Sequence, residues 1–174
     1  MAFFYFDFNN KDTLPNAVLR SLIEQFSLQC ASIPYALQSL FSRNEQGGGH
    51  RDPSQEDLIS TLKAIVRGFQ TVYIVFDALD ECPERSRFLT VLREIHSWEF
   101  GPLHLLATSR KERDIEGMLG SLISHEMPMD ESLVDGDIQV HVTRTLEDDM
   151  KFSMWSPEEK EMVKTALMEG ACGM

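Results

Sequence analysis

Positive charge is scarce in this chain, long apolar runs are missing, and the dipeptide Gly-Lys does not occur at all. The 174 residues hold 16 Lys and Arg against 28 Asp and Glu, a formal net charge of −12. A surface of that sign repels phosphate backbones, which argues against nucleic acid as a partner. No stretch approaches the roughly 20 apolar residues that a helical membrane span needs, so no membrane role is expected. The N-terminus has neither the basic segment nor the small-residue cleavage site of a secretory signal, and a cytoplasmic location is the expectation. Cysteine is rare and dispersed. Cys30, Cys82 and Cys172 form no CxxC pair, which suits a reducing compartment and speaks against a disulfide framework or a zinc site. No fixed-period repeat is present, so a solenoid is excluded. The length leaves room for one domain with at most a small appendage.

What is present centres on residues 72–81, Val-Tyr-Ile-Val-Phe-Asp-Ala-Leu-Asp-Glu. An apolar run goes straight into Asp77, and Asp80 and Glu81 follow in the next turn. A continuous run of this kind is what a strand covered on both faces looks like, as in a parallel sheet between helix layers. In open α/β sheets the carboxyl ends of the strands are where ligands bind.

The flanking segments fit such a sheet. Residues 2–8 read as an aromatic-rich strand at or beside the edge, and Thr13 can cap a helix entered at Pro15. Val18, Leu19, Leu22, Ile23, Phe26 and Cys30 recur at amphipathic-helix spacing, and Pro34 opens a shorter helix with Leu37, Leu40 and Phe41. Gly47-Gly48-Gly49 is a loop, with no strand before it and no Gly-Lys-Ser/Thr in it to cradle phosphate. Ser54-Gln55-Glu56-Asp57 is a loose capping box for a helix carrying Leu58, Leu62, Ile65 and Val66, which Gly68 can end in the left-handed conformation. Beyond Glu81, Phe88, Leu89, Leu92 and Ile95 mark another helix, Gly101-Pro102 a turn, and Leu103-His104-Leu105-Leu106-Ala107-Thr108 a second short apolar strand. Two strands joined by such a helix form a right-handed crossover.

A helical turn over residues 114–119 and a brief strand over 122–127 are expected next, with His104 and His125 packed inside strands. Ile138, Val142, Leu146 and Met150 then lie four apart on a helix, and Ser156-Pro157-Glu158-Glu159 begins a last helix carrying Met162, Val163, Ala166 and Leu167. The expected class is α/β, a three-layer parallel sheet with helices on both faces followed by a small C-terminal helical segment. Charge divides unevenly along it. Residues 1–110 hold 13 acids and 10 bases, and residues 111–174 hold 15 acids and 6 bases, which reads as a solvated acidic helical face.

At the carboxyl edge the pattern gathers Asp77, Asp80, Glu81, Thr108, Ser109 and Arg110. An acid at the end of one strand and an arginine at the end of its neighbour suit a phosphate–Mg²⁺ site, the acid holding the metal's water shell and the guanidinium gripping phosphate oxygens. The plain alternative is that Asp77 or Glu81 pairs with Arg110 to satisfy a charged sheet edge. The residues alone leave both open. Arg85, Arg87 and Arg93 on one helix read as a solvated face.

The run from Val72 through Asp77-Ala78-Leu79-Asp80-Glu81-Cys82-Pro83 resembles the Walker B segment of NACHT-type P-loop ATPases. The likeness is to those of fungal signalling proteins with a nephrocystin-like N-terminal module, often followed by ankyrin or WD repeats. Phe4-Tyr5-Phe6-Asp7-Phe8, Leu19-Arg20-Ser21-Leu22-Ile23-Glu24-Gln25, Ile95-His96-Ser97-Trp98, Asp137-Ile138 and the strand ending Thr108-Ser109-Arg110 match in order and spacing. The resemblance implies that Asp77 contacts Mg²⁺ through water, that Asp80 and Glu81 position or activate the attacking water, and that Arg110 with Thr108 senses the γ-phosphate of ATP or GTP. Two departures stand out. Lys111 replaces a usual proline, and the family's first strand with its Walker A loop is missing before Phe3. The resemblance therefore implies a partial nucleotide-binding domain over residues 1–130 and the start of a helical subdomain over 131–174. Nucleotide binding is expected to be weak or absent. The exposed sheet edge is expected to favour self-association or pairing with NACHT relatives.

Overall fold

A computed structural model of the chain describes residues 1–7, 15–45, 52–98, 101–128 and 131–171. Strands β1 (Ala2–Tyr5), β2 (Val72–Asp77) and β3 (Leu103–Ala107) form one parallel sheet in the order β1-β2-β3. Helices α1 (Pro15–Ser27), α2 (Tyr35–Glu45) and α3 (Gln55–Val66) connect β1 to β2, α4 (Arg85–His96) connects β2 to β3, and α5 (Arg113–Leu119) follows. The chain divides into two compact units, Met1–Ile123 and Ser124–Met174.

The core of the first unit lies on one face of the sheet. Ala2 stands opposite Ile74, and Ile74 opposite Leu105, so that Ala2, Phe4, Val72, Ile74, Phe76, Leu103 and Leu105 all point the same way. Onto them pack Val18, Leu19, Leu22, Ile23 and Phe26 of α1, Leu58, Leu62, Ile65 and Val66 of α3, and Phe88, Leu89, Leu92 and Ile95 of α4. Phe88 is the keystone of the aromatic part. Its ring meets Phe6 and Phe76 edge-on, each at 5.1 Å between centroids. Burying each such ring contributes roughly 2–3 kcal/mol from area alone.

The opposite face departs from expectation. Alternate residues of the same strands, Phe3, Tyr5, Tyr73, His104 and Leu106, are exposed, Phe3 and Tyr5 each by 60%. Among the described residues the sheet is covered on one side, so the three-layer arrangement is corrected to two layers. The strand residues are apolar on both sides, and their sequence does not say which side is covered. His104, expected to be packed, stacks its ring on Tyr73 at 4.7 Å on this open face. Residues 122–127 form no strand, and His125 is exposed in irregular chain. With no neighbour pairing them, their short alternation has no ladder to join.

Local signals fared better. Ser54 and Asp57 form a full capping box at the start of α3. Gly101 turns the chain into β3 with a positive φ of 54°. At the other end of α3 the chain leaves through Arg67 in the right-handed region, without the left-handed glycine expected at Gly68. Phe8, Thr13 and Gly47 to Gly49 lie outside the described residues.

The two outer edges of the sheet differ. Beside β1, the amide of Gln25 accepts from the Phe3 N–H at 3.0 Å and donates to the Phe3 carbonyl at 2.7 Å. Gln29, one turn on, does the same for Met1 at 3.0 and 2.9 Å. Side chains of α1 thus stand in for a neighbouring strand. On β3, Thr108 donates to Phe76 and Pro102 accepts from Val72, so the backbone groups of Leu103, Leu105 and Ala107 turn away from β2. Nothing comparable to the glutamines closes that edge among the described residues.

The second unit pairs α6 (Glu131–Asp148) with α7 (Pro157–Ala171), and Leu146 is its buried residue among those described. Met150, expected to extend the α6 stripe, falls past the helix end in a 3₁₀ turn, Met150–Phe152. Ser156 and Glu159 cap α7 reciprocally, as the sequence pattern indicates. No helix of the described residues is long and apolar enough to cross a membrane.

Candidate functional site at the carboxyl edge of the sheet

Because β2 and β3 are parallel neighbours, their carboxyl ends bring Asp77, Asp80 and Glu81 beside Thr108 and Arg110. The join is made by hydrogen bonds. Thr108 donates its hydroxyl to the Asp77 carboxylate, and the same oxygen accepts from the Ala78 N–H at 3.0 Å. The Thr108 carbonyl accepts from the Leu79 N–H at 2.9 Å.

Ala78 lies in the left-handed region, φ 54° and ψ 49°. For a residue with a Cβ this costs about 1 kcal/mol. The bend drives Leu79 fully into the core and turns the chain into a short 3₁₀ segment, Leu79–Glu81, that carries the two further acids along the edge. Such strain in a turn next to convergent polar groups is a recognised feature of functional sites.

Arg110 takes as its partner an acid that the plain alternative did not name. It pairs with Asp80, Nε to Oδ2 at 2.9 Å, and its backbone N–H donates to Asp80 Oδ1 at 3.1 Å. Glu81 stands farther off, at 3.9 Å from Nη2. Asp77 takes Thr108 as its partner, and Ser109 turns back to the Arg110 carbonyl. The Asp80 side chain is 9% exposed and that of Arg110 62%, so the acid is fixed and the guanidinium lies over it from the solvent side.

One pair at this edge escaped the sequence reading. Arg85, set aside with Arg87 and Arg93 as a solvated face, donates to both carboxylate oxygens of Asp114, at 2.6 and 3.0 Å, and to the Asp80 carbonyl at 2.8 Å. It thereby fastens the acidic turn to the start of α5. The Arg85 hydrogen bonds hold the Asp114 carboxyl below the usual carboxylate range, and the same bonds raise the Arg85 guanidinium further. No spacing rule links residues 29 apart, so only the tertiary fold could reveal this bracket. Cys82, just after the turn, is buried, and burial pushes its thiol up to about 11.

A family model described as nephrocystin 3, N-terminal, matches residues 1–110. The chain belongs to that family. The nephrocystin 3 N-terminal match runs from β1 through Arg110 and so contains the whole carboxyl edge, while Asp114 and the helical second unit lie beyond it. No curated protein and no solved structure matches the chain.

Proposed function

We propose that this chain is the Walker B-bearing part of a NACHT-type P-loop signalling switch, working in the cytoplasm and by itself weak or inactive in nucleotide binding. The reading rests above all on one observation. Parallel β2 and β3 bring the carboxylates after one strand to the hydroxyl and guanidinium after the next, joined as Asp77–Thr108 and Asp80–Arg110. That is the half-site such a switch needs opposite its phosphate loop.

No group of three or more His, Cys, Asp or Glu side chains spaced to ligate a metal directly occurs among the described residues. The donor set fits a hydrated Mg²⁺ reached through water from Asp77, with Thr108 alongside, and does not fit a closed protein cage. When bound with ATP or GTP, Mg²⁺ supplies charge neutralisation on the phosphates. The chain's own groups divide the remaining work. Asp77 would hold the metal's water shell, Asp80 and Glu81 would orient and activate the attacking water, and Thr108 and Arg110 would respond to the terminal phosphate. For Arg110 that response would mean leaving Asp80. The grip on the phosphates themselves comes from a P-loop lysine and backbone amides, and Gly-Lys is absent from these 174 residues. Titration calorimetry of the purified chain with Mg-ATP and Mg-GTP is expected to give no saturable heat at micromolar concentrations. Micromolar affinity abolished by Asp77→Ala would overturn the reading.

The bare outer edge of β3 supports a second reading, a non-enzymatic module that pairs with a further copy or with a nucleotide-binding relative. Residues 103–107, Leu-His-Leu-Leu-Ala, carry none of the lysines, glutamates or prolines that guard exposed strands. Leu106→Lys is then expected to abolish association measured by sedimentation velocity while leaving the fold intact. A chain that stays monomeric alone and with such a relative counts against pairing.

A further inference from the structure

Seven of the chain's nine methionines lie in residues 124–174, together with 12 acidic and 4 basic residues. That unit has little core to place them in, with Leu146 buried among its described residues. The methionines that the structure describes there are mostly outside. Met150 is 88% and Met154 91% exposed, and Met162 on α7 is exposed as well.

The segment that carries Met150 and Met154 is ordered by its own bonds. Asp149 accepts from the Lys151 N–H at 2.9 Å, and Met150 accepts from the Ser153 N–H at 3.2 Å and the Ser153 hydroxyl at 2.7 Å. Trp155 donates its backbone N–H to the Phe152 carbonyl at 3.1 Å, and the two rings pack edge-on at 4.9 Å. The link between α6 and α7 is thus a defined knob of two methionines and two aromatic rings. Acids stand on both sides of it in the chain, Glu147, Asp148 and Asp149 before and Glu158, Glu159 and Glu161 after, with Lys151 the single base between them.

Each feature narrows the occupant. Unbranched, polarisable methionines adapt to varied apolar partners, and a tryptophan with an exposed edge is a common anchor. The acidic sequence on both sides of the link favours basic segments and repels acidic ones. It also repels anionic lipid headgroups and a second copy of this unit, which carries the same charge. We infer that the α6–α7 link, Met150 to Trp155 with its acidic flanks, docks a basic amphipathic helix of a partner protein. The apolar stripe of the helix covers Met150, Met154 and Trp155, and its lysines or arginines meet the flanking carboxylates.

Tryptophan fluorescence of the full chain tests this, because Trp98 is buried and Trp155 partly exposed. The probe is a synthetic helix of roughly 15–20 residues patterned from leucine and lysine, long enough to hold helical form. Binding is expected to shift the Trp155 emission to the blue, and to weaken about tenfold or more, equivalent to about 1.4 kcal/mol, in Met150→Ser/Met154→Ser. Both substituted side chains are exposed, so circular dichroism should be unchanged. Salt is expected to weaken binding, and a leucine–glutamate helix of the same pattern should not bind. The inference is overturned if the double variant binds the leucine–lysine helix as tightly as the parent, if the glutamate helix binds equally, or if anionic vesicles give the same shift. It is equally overturned if sedimentation shows a dimer that the double variant dissolves, for then the occupant is a second copy.

Discussion

The two edges of the sheet are finished in different ways. On the β1 side, Gln25 and Gln29 of α1 offer their amides to Phe3 and Met1 in place of a strand. On the β3 side no side chain does this among the described residues, and the chain is fastened past the strand's end, by Thr108 to Asp77, Arg110 to Asp80 and Arg85 to Asp114. A neutral clasp occupies the outward backbone groups of Met1 and Phe3 at one edge. Ion pairs anchor the loops at the other and leave its backbone available. One edge of the sheet is thus partly occupied by side chains, and the other is open among the described residues.

The largest expected effect would break the comparison altogether. Phe88 touches both Phe6 after β1 and Phe76 in β2, so Phe88→Ala should destabilise the unit by about 3–5 kcal/mol in a urea titration, with both edges lost in one transition. An intermediate effect isolates the β1 edge. Gln25→Ala removes both bonds to Phe3 and should cost about 1 kcal/mol. In hydrogen exchange the Phe3 amide should lose its protection, and the Leu105 amide, which faces the bare edge, should exchange fast in parent and variant alike.

The smallest effect is a matter of pH and touches only the other side. With its carboxyl held low by Arg85, Asp114 contributes stability above the ordinary carboxylate pKa, and that contribution is lost as pH falls through its lower folded value. Asp114→Asn should therefore lower the Tm at neutral pH, and its Tm should converge with that of the parent as pH falls through the lowered folded value of Asp114. The glutamine clasp does not titrate, so protection of the Phe3 amide should stay flat over the same range.

Much of the fold is legible in the residues. The apolar runs of β2 and β3, the stripe of α1 and both capping boxes are local signals, and each appears where its pattern lies. The acidic edge is legible too, since parallel pairing of two recognisable strands brings Asp77, Asp80 and Arg110 together of necessity. What escaped depends on tertiary choice. Tyr73 and Leu106 look as fit for burial as Ile74 and Leu105, and only packing decides which side the helices take. Gln25 and Gln29, four apart, look like any polar helical face until β1 is laid beside them. Arg85 looks no different from Arg87 until α5 supplies Asp114.

Cys82 gives the acidic turn a clock of its own. Its sulfur is shut into the core directly after Glu81, and its thiol is pushed up to about 11, so alkylating reagents meet almost no thiolate while the turn is closed. Cys30, partly exposed at the far end of α1, is labelled without waiting for that opening. The ratio of the two labelling rates therefore times how often the turn carrying Asp80 and Glu81 lifts away from the core.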